Sequence, residues 1–344
     1  MNRQTDAGRV PTDKSTNATA ASTSTKIPLC DCDRIHYTLT FAVNPISSTC
    51  NLMSNRPRLT AHLVAIILFG VCACLGTTAA AFSFTPGHIY TTNYFSLDIM
   101  EYDSAGNFVD SITLPSSLGS ETRGIAFGPD NLLYVTMVHG SGFAVYALDS
   151  IGAVQQTYRN SSVYVAGNLS YGKIAIDHRF IYVAGQDELI RFRFGRPRSG
   201  RSIYTNNQVF DVEVLPSGNL FVASAYAIDE ITNQGTLVRH IILSGGPSFV
   251  DIRGIEYDPA TDKLFVTELG YTNFFFQLMR INASTGQFEQ SVTFTYADDL
   301  FLSESNSLLV GSSTETPRVY SENLAQVGTI GTAQRMFVTQ YTGP

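Results

Sequence analysis

RGIEYDPATDKLFVTELG, residues 253–270, decides the fold because the chain contains a closely related phrase, RGIAFGPDNLLYVT, at residues 123–136. Each copy reads as an apolar strand, a turn built on Pro and Asp, and a second strand that contains Val-Thr. A phrase that recurs within one chain is the signature of a repeat architecture. The two copies therefore indicate that the chain is built from repeated strand pairs.

Six strands related to the second half of that phrase recur at nearly constant spacing. Their central residues are 44, 48, 39, 44 and 44 positions apart: Tyr90, Tyr134, Tyr182, Phe221, Phe265 and Leu309. A shorter apolar strand precedes every copy except the first, and a hairpin with Asp, Asn or Gly in its turn follows. Antiparallel four-stranded units of about 40 to 45 residues are typical of propeller blades. The sequence predicts an all-β, six-bladed β-propeller over residues 82–344.

The two ends of the repeat region complement each other. The first unit lacks its innermost strand, and a strand of the missing type, RMFV at residues 335–338, is left over at the C-terminus. Placing this strand in the first blade gives every blade four strands and removes an open sheet edge. We predict that the C-terminal strand closes the ring.

The blade phrases, of which GIEYDPATDKLFVTE is the clearest, resemble those of the six-bladed propellers of the NHL, TolB-like and SMP-30/gluconolactonase group. The resemblance covers nearly all of residues 82–344. In the lactonase branch a Glu, Asn and Asp set binds a divalent cation in the central channel, so the resemblance implies a metal-dependent hydrolase or lactonase as one function. HIYTTN, residues 88–93, stands near the place where the first acidic ligand of that set is sought.

The segment before the repeats has the pattern of an export signal. LVAIILFGVCACL, residues 63–75, follows two arginines and precedes an Ala-x-Ala sequence, so we expect a signal peptide over residues 53–81. Residues 1–52, rich in Ser, Thr and Asn, are expected to be a disordered leader or an over-extended start. The alternatives are lipidation at Cys74 or an uncut segment that anchors the chain. We expect a secreted, periplasmic or otherwise extracytoplasmic protein without a stable membrane span after cleavage.

The composition of the repeat region excludes some kinds of site and argues against some partners. All five cysteines precede residue 82, which excludes thiol nucleophiles and cysteine-ligated metal sites from that region. It contains 15 basic and 25 acidic residues, a balance that argues against nucleic acid as a partner. No G-x-S-x-G phrase is present, and we predict no catalytic residue. We expect a monomer.

Polar residues cluster where the inner strands begin and the second strands end, at one mouth of the central channel. A ring of arginines and carboxylates there would bind a sugar, a carboxylate or a cation, with Arg123, Arg253 and Arg335 approaching an anion from three sides. Alternatively, the charges pair with one another and join neighbouring blades. The candidate ligand-binding residues are Arg123, Asp211, Arg253, Glu268, Asp298, Asp299 and Arg335.

Some of these carboxylates are also candidates for a metal site. A divalent cation such as Ca²⁺ needs convergent oxygen ligands. The candidates are Asp211, Asp251, Asp298, Asp299 and Glu268. The favoured function is an exported module that binds a protein, a glycan or a small polar ligand at the channel mouth, and the alternative is the metal-dependent hydrolase or lactonase.

RFRFGRPRSGR, residues 191–201, contains five of the 15 basic residues of the repeat region. Strand alternation places its first arginines and phenylalanines on opposite faces. We expect this hairpin at the end opposite the channel mouth. It is either a solvated basic hairpin or a site for an anionic glycan, a lipid headgroup or an acidic partner.

Overall fold

The computed structural model describes residues 83–139, 142–159, 172–206, 208–225, 227–244, 251–269 and 276–343. Within these ranges the chain forms six four-stranded antiparallel sheets arranged in a ring, which confirms the predicted all-β, six-bladed propeller. One short 3₁₀ helix, Ser116–Leu118, connects two blades. The same ranges contain no helix with the length and apolar character of a membrane span. The predicted leader and signal peptide, residues 1–81, lie outside the described residues.

The strands are numbered in chain order, and each blade is described from its innermost strand outwards. Blade 1 contains β24 (Phe337–Gln340), β1 (Ile89–Thr92), β2 (Asp98–Tyr102) and β3 (Phe108–Thr113). Blade 2 contains β4 (Glu121–Phe127), β5 (Leu133–His139), β6 (Gly142–Leu148) and β7 (Val154–Arg159). Blade 3 contains β8 (Ile174–Ile176), β9 (Phe180–Ala184), β10 (Glu188–Arg193) and β11 (Arg196–Thr205).

The remaining blades follow the same order. Blade 4 contains β12 (Val209–Val214), β13 (Leu220–Ser224), β14 (Ile228–Ile231) and β15 (Leu237–Ile241). Blade 5 contains β16 (Ile252–Asp258), β17 (Lys263–Leu269), β18 (Phe276–Asn282) and β19 (Phe288–Phe294). Blade 6 contains β20 (Asp299–Leu302), β21 (Ser307–Gly311), β22 (Arg318–Ser321) and β23 (Gln326–Thr329). We call the end of the channel where the inner strands begin the upper end, and the opposite end the lower end.

The C-terminal strand closes the ring as predicted. β24 pairs antiparallel with β1, with Thr339 opposite Tyr90 and Phe337 opposite Thr92. Phe337 and Val338 are 0% and 2% exposed, so the strand contributes to the core as well as to the ladder. First and last strands of the propeller thus share one blade.

The core consists of apolar clusters that lie between neighbouring blades. Tyr134 and Tyr158 of blade 2, for example, share a cluster with Ile181 and Phe192 of blade 3. Each repeated aromatic residue supplies such a contact because alternate side chains of a strand point to opposite faces of its blade. The aspartate in the turn of the repeated phrase binds the same aromatic residue, because the hydroxyl of Tyr134 donates a hydrogen bond to Asp130 at 2.9 Å.

Deleting residues 335–344 should destabilise the protein by about 5 kcal/mol, because Met336, Phe337 and Val338 lose their burial and β1 becomes an open edge. Urea denaturation of the truncated and full-length chains measures the difference. Removal of residues 343–344 alone is the control, since these residues follow Tyr341, the last buried side chain within the described ranges. An unchanged midpoint after the longer deletion would contradict ring closure.

Candidate functional site

The inner strands pair with the second strands in a common register, which aligns their residues into levels along the channel. The repeated core residues of the second strands lie opposite Ala126, Ala175, Glu213, Glu256, Phe301 and Thr339, which we call the glutamate level. Two positions earlier, towards the upper end, lies the lysine level: Gly124, Lys173, Asp211, Gly254, Asp299 and Phe337.

Lys173 is the centre of a buried ionic network. Its Nζ lies 3.0 Å from Asp211 Oδ2 and 2.7 Å from Asp299 Oδ1. The same carboxylates accept backbone N–H hydrogen bonds, from Ile255 to Asp211 at 2.8 Å and from Val338 to Asp299 at 2.9 Å. The three charged residues are 3%, 6% and 8% exposed, in the order Lys173, Asp211, Asp299. The network therefore joins blades 3, 4 and 6 through side chains and blades 5 and 1 through their backbone.

Burial and the neighbouring charges together set the ionisation states of this network. Burial by itself lowers the pKa of Lys173, but the charges of Asp211 and Asp299 outweigh it and raise that pKa above its ordinary value. Burial raises the pKa of Asp211, while the ammonium of Lys173 and the N–H of Ile255 oppose that shift. The lysine is thus a charged, fully paired group at neutral pH.

The repeated Arg-Gly pairs make room for Lys173. A side chain at Gly124 would lie 2.5 Å from the Lys173 Cα, and one at Gly254 would lie 3.1 Å from its Nζ and 2.6 Å from Thr267 Oγ1. Both glycines are therefore set by close approach to one lysine on blade 3. This close approach explains why a glycine follows the arginine in both phrases.

The upper end of the channel holds the arginines predicted to bind a ligand. Arg123 pairs with Glu121 at 2.6 Å, and its guanidinium carbon lies 3.4 Å from the ring centre of Tyr94. Arg253 lies 3.4 Å from Asp251 and 3.6 Å from Asp298. Burial raises the pKa values of both these aspartates, and Arg253 opposes the shift. The contact between Arg253 and Asp298 joins blade 5 to the residue that precedes β20 of blade 6.

β-Bulges place the arginines at a different level from Asp211 and Asp299. The ladders of blades 2, 4 and 5 shift register at Arg123, Phe210 and Arg253, which lie one position before the lysine level. Phe210 is buried in the same apolar cluster as Phe337, and Tyr94 packs against this cluster. Instead of a single ring of alternating charges, the structure has an upper level of Arg, Asp and Phe and a lysine level below it.

Arg335 and Glu268 occupy other positions of the repeat. Arg335 is two positions before the lysine level and lines a separate cavity of about 440 Å³ with Met100 and Tyr102. Hydrogen bonds from Thr113 and Ser96 lower the pKa of Asp98, and the charge of Arg335 contributes. Glu268 is 1% exposed and lies on β17 opposite Ile252.

The candidate metal ligands divide between two cations of the protein. Asp211 and Asp299 contact Lys173, whereas Asp251 and Asp298 contact Arg253. Across the part of the chain that the structure describes, no group of three or more His, Cys, Asp or Glu side chains is arranged to hold a metal ion.

Below the lysine level the channel contains a cavity of about 490 Å³. Lys173, Asp211 and Asp299 line its inner end, and the exposed residues His178 and Thr342 line it at the lower end. Its wall carries Glu213 and Glu256 from neighbouring blades, together with apolar side chains: Ile176, Val214, Phe127, Leu300 and Phe301. The cavity thus has both polar and apolar walls, and the ionic network closes it above.

The two glutamates of this wall are held in a poorly solvated and acidic surrounding. Burial raises the pKa of Glu213 to about 8, and the neighbouring charge of Asp211 adds to the shift. Burial and the charge of Glu213 raise the pKa of Glu256, opposed by a hydrogen bond from the backbone of Leu302. A protonated carboxyl group both donates and accepts hydrogen bonds. At neutral pH the wall therefore offers donors as well as acceptors.

Glu213, Glu256 and Phe210 were not among the predicted site residues. The signal was present in the inner strands, because DVEV and GIEY each carry one glutamate inside an otherwise apolar strand. Aligning the strands on the repeat brings both glutamates, which lie opposite Phe221 and Phe265, to one level.

Comparisons with known proteins support the fold. The chain is similar to the solved nidogen/laminin complex, with TM-score 0.57 and 14% identity over 74% of this chain and 98% of that one. It is also similar to proteins of unknown function from Bacteroides caccae (TM-score 0.53, 12% identity, 74% and 98% covered) and Desulfotomaculum acetoxidans DSM 771 (TM-score 0.51, 12% identity, 75% and 87% covered). No protein-family model matches the chain, and no curated protein matches it. Membership of the NHL, TolB-like and SMP-30 group stays a prediction.

Replacing Gly254 by Ala should destabilise the protein by about 1 to 3 kcal/mol, because the added methyl group presses on Lys173 and Thr267. Gly142→Ala is the control, since no atom of the described residues lies within 4 Å of a methyl group at that position. Urea denaturation compares the two variants with the wild type. Equal stability of all three proteins would show that Gly254 is not set by the network.

Glu213→Gln should become more stable than the wild type as pH rises. Because the folded-state pKa of Glu213 is about 8, the folded protein holds a proton that the unfolded chain has released above its ordinary pKa of 4.5. Wild-type stability therefore falls with rising pH in this window, whereas the neutral amide is unaffected. Urea denaturation from about pH 5 to about pH 9 measures the difference. The exposed Glu304→Gln is the control, and a constant difference for Glu213→Gln would contradict the prediction.

Proposed function

We propose that the protein is a non-catalytic binding module that takes a small polyhydroxylated ligand, such as a mono- or disaccharide, into the lower cavity of its central channel. The observation that supports this most is the cavity of about 490 Å³, closed above by the lysine network and walled by Glu213 and Glu256. Small-molecule pockets typically measure about 300 to 1,000 Å³.

The lining of the cavity suits a sugar. Sugar hydroxyls need partners that donate and accept hydrogen bonds, and the raised pKa of Glu213 lets its carboxyl group do both. Apolar side chains of the same wall, including Phe127 and Phe301, are suited to the C–H faces of a sugar ring. The cavity thus combines a few polar groups with an apolar surround, which is the usual composition of a ligand pocket.

The chemistry of Lys173 favours binding over turnover. A nucleophilic lysine needs a lowered pKa, so that the free amine is present at neutral pH. In this network the two aspartates raise the pKa of Lys173 and occupy its ammonium. The group at the inner end of the cavity supports the wall and does not attack a ligand.

The proposed setting is extracytoplasmic, and it rests on the signal-peptide pattern of residues 53–81. The nidogen/laminin complex, which shares the fold, is a precedent for a propeller fold in a protein complex. It supports binding as the class of function. The proposed ligand class rests on the cavity.

Isothermal titration of the purified chain against a panel of mono- and disaccharides tests the proposal. Glu213→Ala and Glu256→Ala should each weaken the best binder about tenfold or more, because a hydrogen bond to an enclosed polar group is lost. Glu304→Ala is the matched control, since it removes an exposed carboxylate at the same end of the channel.

Arg253→Gln tests the upper end separately, because it changes the arginine level and leaves the cavity wall intact. Binding lost in Arg253→Gln but kept in Glu213→Ala would move the site to the upper end. The absence of saturable binding by every member of the panel would contradict the proposed ligand class.

A further inference from the structure

The hairpin formed by β10 and β11 concentrates positive charge at the lower end of blade 3. We call its arginines the arginine hairpin: Arg191, Arg193, Arg196, Arg198 and Arg201. All except Arg191 are exposed. The exposed Arg179 lies beside them, since its carbonyl accepts a hydrogen bond from the Phe194 N–H at 2.9 Å.

The strand register places like charges directly opposite each other. Arg191 is the cross-strand partner of Arg201, and Arg193 is the partner of Arg196. Like charges in such pairs destabilise a sheet. The pKa of Arg191 is lowered by burial and by the charge of Arg201, which is consistent with this repulsion.

In the described part of the chain, acidic side chains do not neutralise these charges. Within the described residues, none of the hairpin arginines lies within ion-pair distance of an acidic side chain. Asp177 is the carboxylate whose charge reaches Arg191, but its oxygens accept hydrogen bonds from the backbone of Arg179 and Phe180 and from the hydroxyl of Tyr182. An acidic domain thus presents four exposed guanidinium groups that have no acidic partner among the described residues, whereas the buried Arg191 donates hydrogen bonds to Asn233 and Gln234.

The backbone of the hairpin is held in a defined arrangement. The hydroxyl of Ser199 accepts a hydrogen bond from the Arg193 N–H and donates one to the Arg196 carbonyl, both at 2.7 Å. Gly195 completes the two-residue turn at φ 69°, and Gln234 of blade 4 accepts a hydrogen bond from Arg201 at 2.7 Å. A site ordered before binding loses less entropy when the ligand arrives.

We propose that the arginine hairpin binds a sulfated polysaccharide. Opposed residues lie about 5 Å apart across the strands, which applies to the pairs Arg191/Arg201 and Arg193/Arg196. The register shift between these pairs adds Arg198 on β11, so the five arginines are concentrated in one short hairpin. Each guanidinium fork binds two oxygens of a sulfate group. A chain with sulfates on successive sugars neutralises several arginines at once. This site is distinct from the proposed sugar cavity and does not depend on it.

Other polyanions fit the hairpin less well. A membrane surface favours basic segments that also expose apolar side chains, but Phe192 is buried and Phe194 packs on Tyr134, with ring centres 5.5 Å apart. Single-stranded nucleic acid needs exposed aromatic rings for base stacking, and residues 191–201 expose none.

The test compares the wild-type protein with the triple variant Arg193→Gln/Arg196→Gln/Arg198→Gln. Affinity for a heparin oligosaccharide is measured by isothermal titration over a range of salt concentrations. The wild type should bind, more weakly as salt rises, and the variant should lose about tenfold or more in affinity. The melting temperature of the variant should equal or exceed that of the wild type, because an opposed like-charge pair is removed.

The control variant Arg239→Gln/Lys263→Gln/Arg318→Gln removes one basic residue from each of blades 4, 5 and 6, each of them ion-paired with a glutamate, and it should bind as the wild type does. Equal binding by the wild type and the hairpin variant would overturn the proposal. It would also be overturned by equal binding of a desulfated oligosaccharide, or by binding only to phosphatidylserine vesicles or to poly-glutamate.

Discussion

A single ammonium group, that of Lys173, holds together the inner strands of the propeller. The apolar clusters join each blade to its neighbours, whereas the contact from Lys173 to Asp299 joins blades 3 and 6, which are not adjacent in the ring. Breaking a buried ion pair by removing one partner typically costs about 3 to 5 kcal/mol, because the other charge stays buried. The network therefore constrains the ring at its axis, in addition to the apolar side chains that the inner strands bury, such as Ile255, Leu300 and Phe337.

The same group divides the channel. Above it, Phe210 and Tyr94 pack with the core, and the arginines pair with nearby carboxylates. Below it, the glutamate level surrounds the cavity in which we place the ligand. The position of the lysine network thus decides which end of the propeller is available for a small molecule.

The fold was predictable from the sequence because the six repeated core positions, five aromatic residues and Leu309, show both the length of a blade and the alternation of its strands. Ring closure followed from one missing and one surplus strand. The site was less predictable, because a shift of one residue changes the level at which a side chain lies. The bulges at Arg123 and Arg253 separate those arginines from Asp211 and Asp299, and sequence spacing does not show a bulge. Arg335, one residue further from the lysine level, points to a different cavity.

A double-mutant cycle on Lys173→Met and Asp299→Asn tests the central claim most directly, with the free energy of unfolding measured in urea at neutral pH. The lysine variant alone leaves Asp211 and Asp299 buried without a cation, so the double variant should be destabilised by less than the sum of the single variants. We expect a coupling energy of about 2 kcal/mol or more. Single effects that add to within about 0.5 kcal/mol would show that the two groups do not interact, and would contradict a channel held together by the ammonium of Lys173.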